Sequence, residues 1–192
     1  MKNINVYKQN GNTCAIACML MVLEYYKIIP KANWYYERKY YKCYHSRYIE
    51  GTPFSALAYH FAKNNLNTEI VHSEKNIFDN SKQLLSDYVF EKSLEEYKEY
   101  LMYAEENGAK VYNGLDINCE YLKQKLEEDK LIILAGKTNG YLHAILLCGY
   151  ENNQFIVCDP LDKDRQIKTK EEIEKFMNTE IGKWCVIVSK NN

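Results

Sequence analysis

Three residues in this chain have types and settings that could together activate a nucleophile: Cys14, His143 and Asp159. Cys14 follows the polar stretch Gln9-Asn10-Gly11-Asn12-Thr13 and opens an apolar helical run to about residue 27. Amides at a helix start lack intrahelical partners and, with the helix dipole, favour negative charge there. Such a setting favours the thiolate, which is the nucleophilic form of cysteine. Cys18 comes one turn later between Ala17 and Met19 and is expected to be buried. His143 heads the uncharged run Ala144-Ile145-Leu146-Leu147-Cys148, and Asp159 closes the run Phe155-Ile156-Val157-Cys158 ahead of Pro160. Taken singly, each has a plain structural explanation: a cysteine at a helix start, a histidine at a strand end, an Asp-Pro turn.

The hairpin between the last two residues is what joins them. His143 begins one predicted strand, Asp159 ends the next, and antiparallel pairing brings these ends to the same edge. A turn centred on Asn152-Asn153 puts Asp159 opposite Leu146, so a contact with His143 has to be diagonal. A carboxylate there would orient the imidazole and stabilise its charged form. Gln9 is a candidate oxyanion donor together with the Cys14 backbone amide, and Asn10 or Asn12 could take the same part. The other histidines are less suited: His45 lies in an aromatic, basic stretch, His60 in a helical pattern and His72 beside a charged region. A zinc site using Cys14, Cys18 and His143 lacks further ligands at structural spacing, and no metal or cofactor is expected.

The positioning elements can be read from periodicity. Thr13 or Asn12 is the natural N-cap of the first helix, and Pro30 follows it. Residues 34–48 give no clear pattern. Thr52 as N-cap and Pro53 as first helical residue open a helix to about residue 65, and residues 68–71 suit a short strand. Residues 73–110 are richly charged, with a helical pattern from about 84 to 106, and read as an insertion. Residues 118–129 form a helix, and Leu131-Ile132-Ile133-Leu134-Ala135 a buried strand. Asn139-Gly140 marks a hairpin turn, and strands follow at 143–150, 154–159 and 184–188. Thr169-Lys170-Glu171-Glu172 is a capping-box pattern. The expected fold class is α+β, with N-terminal helices packed on a C-terminal antiparallel sheet, as a single domain over residues 1–192.

Composition narrows the function classes. With 25 basic and 26 acidic residues and a net charge of −1, the chain has no nucleic-acid footprint. No apolar run approaches the roughly 18 residues of a membrane span. Residues 1–12 are polar, unlike a secretory signal. The seven cysteines are scattered without a CxxC pair, and Cys148, Cys158 and Cys185 read as small buried hydrophobes. A reducing, cytoplasmic setting fits this usage. The 18 tyrosines read as a compositional habit.

The stretch from Gln9 to Cys18, together with the block from His143 to Tyr150 and from Phe155 to Pro160, resembles the C39 family of bacteriocin-processing cysteine peptidases. The resemblance implies a papain-like fold with Cys14 as nucleophile, His143 as general base and acid, Asp159 as orienter and Gln9 as oxyanion donor. Two departures stand out. The family usually has one more residue between its Gln and Cys, and a Gly where this chain has Ala15. The order Cys, His, Asp is also that of papain-like enzymes. What such a site does is pass an acyl group through a Cys14 thioester. Release by an amine would make the chain an amide-forming acyltransferase acting on an acyl thioester in a natural-product pathway, the reading leaned to here. Release by water would make it a peptidase for a leader or small peptide. An inactive papain-fold binding module is the third reading. The expected partner is an acyl or peptide substrate, which a carrier protein could present, with no nucleic acid and no membrane.

Overall fold

The structure, a computed structural model, describes residues 2–77, 80, 82 and 84–191. Along the chain run α1 (Cys14–Tyr25), α2 (Trp34–Tyr44), α3 (Phe54–Lys63), β1 (Leu66–His72), α4 (Asp87–Glu106), β2 (Lys110–Asn113), α5 (Cys119–Glu127), β3 (Leu131–Thr138), β4 (Tyr141–Glu151), β5 (Gln154–Cys158), β6 (Gln166–Lys168), α6 (Lys170–Met177) and β7 (Trp184–Lys190). The strands form one sheet in the order β2-β1-β7-β3-β4-β5-β6.

The class is the expected α+β, with two differences in layout. The sheet also includes β1 and β2, which precede the expected C-terminal strands, and this pair is parallel, whereas the other neighbours are antiparallel. The reason is the long crossover through α4, which returns the chain in its original direction. Helices also cover both faces of the sheet: α1 and α3 pack on one, α5 and α6 on the other. Ile133, Leu146 and Val186 enter the first core, and Ile132, Leu147 and Ile187 the second. Successive strand residues point to opposite faces, so a sheet covered twice needs apolar residues at both parities. That is why β3, β4 and β7 read as unbroken apolar runs. Each leucine so buried stabilises the fold by about 1.5–3 kcal/mol.

α1 is buried from Ala15 to Leu23, enclosed by the sheet and by α2 and α3. Thr13 does occupy its N-cap, but makes no side-chain cap bond. Its hydroxyl donates to Glu37 instead, and the Asn12 amide donates to Glu50. At α3 the cap is Pro53 and the first helical residue is Phe54, one position later than the sequence suggested. α2, unread in the sequence, is capped by Asn33, whose side chain accepts from the Tyr36 amide at 3.2 Å. Within residues 73–110, α4 packs across α3, and directly after it β2 extends the sheet edge.

Both predicted hairpin turns form, with positive φ at Asn139 and Gly140 and at Asn152 and Asn153. Paired positive φ values give the turn twist that matches antiparallel strands. Between these strands the register shifts: Leu147 pairs with Val157 but Gly149 with Ile156, so Cys148 is an extra residue on β4. Leu146 consequently faces Cys158, not Asp159. The bulge carries Asp159 one step closer to His143 than an unbroken ladder would.

Candidate active site

Cys14 is the first residue of α1 and is half-buried, while Cys18, Cys119, Cys148, Cys158 and Cys185 are buried and Cys43 is exposed. All seven thiols are free. Cys18 Sγ turns to the Ala144 carbonyl at 3.5 Å, and burial pushes its thiol pKa well up. It is therefore a packing residue.

His143 sits near the start of β4 with 8% exposure. Its Nε2 meets Asp159 Oδ1 at 2.7 Å. Cys14 lies near enough to this imidazole to influence its protonation, and Nδ1 is the ring nitrogen that Asp159 leaves free. Burial by itself would lower the His143 pKa, but the hydrogen bonds and charges of Asp159 and Cys14 outweigh it and raise the value to about 9. Burial would likewise raise the Asp159 pKa. The bonds from His143 and from the Leu161 amide, at 2.9 Å, hold it below the usual carboxylate range instead. Both shifts favour the charged pair. Across the ladder His143 faces Gly136. A Cβ on Gly136 would lie 2.3 Å from the Phe176 ring, which itself packs edge-on against His143 at 6.3 Å. Glycine is thus what lets α6 brace the imidazole.

Cys14 and His143 open onto a chamber of about 330 Å³ with mostly apolar walls. Phe54, Leu84, Leu142, Ile181 and Trp184 are among the lining side chains. α4 contributes Ser93, Glu96 and Tyr97, which share one face of that helix.

A family model described as "Peptidase_C39 like family" matches residues 1–189. The chain belongs to that family. Its α+β architecture sets the helix carrying the cysteine against the sheet carrying the histidine. The peptidase domain of Streptococcus ComA, a bi-functional ABC transporter involved in a quorum-sensing pathway, is similar to this C39-like chain at 14% identity. That alignment covers 98% of this chain and all of the other, with a TM-score of 0.49. A C39-like peptidase from Bacillus anthracis is similar at 11% identity over 100% and 97% of the two chains, with a TM-score of 0.45. None of the curated proteins matches.

In this C39-like chain Gln9 lies beside the Asp159 turn, because its backbone N–H donates to the Pro160 carbonyl at 2.8 Å. Its side-chain Nε2 donates to the Gly11 carbonyl, while its Oε1 is buried without a partner. It does not line the chamber. One amide hydrogen of Nε2 stays uncommitted. The Cys14 amide has no intrahelical acceptor, since the first bond of α1 runs from the Ala17 amide to the Thr13 carbonyl. Asn12 is tied to Glu50, and the Asn10 backbone amide to Glu37 at 2.8 Å.

Glu37 is the residue the sequence reading missed. It is 2% exposed and accepts from Tyr7 Oη at 2.7 Å, from the Asn10 amide and from Thr13 Oγ1. It thereby fastens the whole stretch leading to Cys14. Its signal was present: it is the sole acid between Trp34 and Tyr48, in an aromatic and basic run. Among the described residues no group of three or more His, Cys, Asp or Glu is placed to hold a metal ion, and no helix is long and apolar enough to cross a membrane.

Proposed function

We propose that this chain is a papain-type thiol peptidase or amidase that works through a Cys14 thioester. The observation that carries this reading is the His143 imidazole bonded to Asp159 and sharing one apolar chamber with Cys14. The Cys14 thiolate adds to a carbonyl carbon, forming the S–C bond. The Cys14 amide, with Gln9 as second donor, steadies the oxyanion. His143, which carries its proton up to about pH 9, gives that proton to the leaving nitrogen as the C–N bond breaks. Neutral His143 then takes a proton from water, which adds to the thioester and expels the thiolate. Asp159 keeps the ring oriented throughout.

The chamber lining favours a second reading. Apolar walls hold an acyl chain more readily than the polar backbone of a peptide. An amine in place of water as last nucleophile would make the chain an amide-forming acyltransferase fed by an acyl thioester, with a carrier protein as a suitable donor.

Incubation with acyl thioesters and small peptides, with and without amines, followed by intact-mass analysis, tests both. The expected result is an adduct on Cys14 that is absent in Cys14→Ala and retained in Cys18→Ala. Acid as the product supports the peptidase reading, and amide as the product the transferase. Iodoacetamide should label Cys14 faster than exposed Cys43 at neutral pH. Equal slow labelling of both, with no adduct, would overturn the enzyme reading.

A further inference from the structure

The chamber's polar side chains give its occupant a more definite chemistry. Ser93 is 4% exposed, and its hydroxyl is buried without a hydrogen-bond partner although it lines the chamber. An unpaired buried hydroxyl is costly and marks a place where a ligand group completes the bonding. Glu96 stands one turn further along the same face of α4, 4% exposed. Its Oε2 accepts from Ser46 Oγ, and its Oε1 from the Arg47 amide at 3.2 Å and from Arg47 Nε at 3.0 Å. Three donors leave one acceptor position of the four that a carboxylate offers. Arg47 itself is largely exposed and does not line the chamber. Glu50 is a second lining carboxylate, and among the described residues no lysine or arginine lines the chamber. The walls are apolar, one hydroxyl is unpaired, and the carboxylate beside it keeps an open acceptor position.

We infer that the chamber takes an apolar arm of the acyl group which ends in a hydrogen-bond donor, a hydroxyl or an ammonium, paired to Ser93 beside Glu96. The inference rests on the Cys14 thioester reading and narrows its substrate class. A methyl terminus leaves Ser93 unpaired. A carboxylate terminus has no proton to give the acceptor position left on Glu96.

The test uses 4-nitrophenyl esters of straight-chain acids of four to ten carbons, each with a methyl, hydroxyl, ammonium or carboxylate terminus. Rates are taken above the Cys14→Ala background. At one chain length the hydroxyl-to-methyl ratio of kcat/KM should peak, and Ser93→Ala should lower that ratio about tenfold. The carboxylate-ended esters should be the poorest at every length. A ratio that is flat with length in the unaltered protein, or unmoved by Ser93→Ala, overturns the inference while Cys14 acylation stands. The absence of any Cys14 adduct with every ester overturns the thioester reading and this inference with it.

Discussion

His143 and His72 are both buried in the same sheet, and they titrate in opposite directions. His72 is fully buried on β1, with Nδ1 donating to Asn113 Oδ1 at 2.9 Å and Nε2 accepting from Tyr97 Oη at 2.7 Å. Burial dominates there and lowers its pKa to about 4. His143 suffers the same desolvation but has a carboxylate partner, and its pKa rises to about 9. Neutral partners satisfy a buried imidazole without charging it, whereas an anionic partner reverses the sign of the shift. One histidine is a brace, holding Tyr97 and Trp184 in the chamber wall. The other is equipped to hand over a proton.

Asp159→Asn should break the contrast most strongly. It keeps the size of the partner and removes its charge, so turnover should fall about a thousandfold or more. The alkaline limb of the rate profile should also move below 9, because the larger of the two influences raising the His143 pKa is gone. Rates against pH in both proteins decide it, and an unmoved limb would show that Asp159 does not set the titration.

Stability should separate the two histidines next. His72 has a depressed native pKa, so the unfolded chain binds a proton below pH 6.5 while the folded one does not. Its stability contribution is lost as pH falls from 6.5 toward 4, by up to about 3 kcal/mol. His143 has a raised native pKa. Its contribution is complete below pH 6.5 and is lost as pH rises through 9. Urea denaturation at several pH values should therefore show His72→Gln reducing the acid loss and His143→Gln reducing the alkaline loss. His60, also lowered to about 4 by burial, adds to the acid limb in both variants.

The three candidate residues stood out in the sequence because each lies at an element boundary, beside an apolar run. Cys14 opens α1, His143 lies near the start of β4 and Asp159 directly follows β5. What joins them was less visible. The register of Asp159 depends on a bulge at Cys148, for which the adjacent Gly149 was the only local sign. α2 escaped because its buried member is an acid: Glu37 finds its donors 24 to 30 residues away, beyond the reach of local pattern. β2 is short and mostly exposed, so it carries no apolar alternation. The helical pattern of α4 was plain, but its chamber face includes Ser93 and Glu96, polar residues that periodicity assigns to solvent.

The residues across the ladder extend the comparison. His72 faces Trp184, and His143 faces Gly136. Gly136→Ala should cost about 1–3 kcal/mol, because its Cβ would meet Phe176 ring carbons at 2.3 Å and the Phe176 carbonyl oxygen at 2.4 Å. Thermal denaturation measures the loss. Adding Phe176→Ala should recover only part of it, since the backbone oxygen remains.

The smallest effect is expected at Glu37, and it sharpens the contrast between carboxylates. Asp159 faces an imidazolium, whereas the donors to Glu37 are a phenol, a backbone amide and a threonine hydroxyl. In Glu37→Gln the amide oxygen can still accept from Asn10 and Thr13, and the new N–H group can donate to Tyr7 Oη, which turns to accept it. The variant should therefore lose about 1 kcal/mol or less and leave the alkaline limb near 9. Glu37→Ala leaves all three donors short of an acceptor and should lose several times more. It should also slow acylation of Cys14, because the stretch from Tyr7 to Thr13 would no longer be fastened. A limb displaced by Glu37→Gln as far as by Asp159→Asn would mean that the charge of Glu37 reaches His143, and the division between a carboxylate that holds a loop and one that holds a proton would fail.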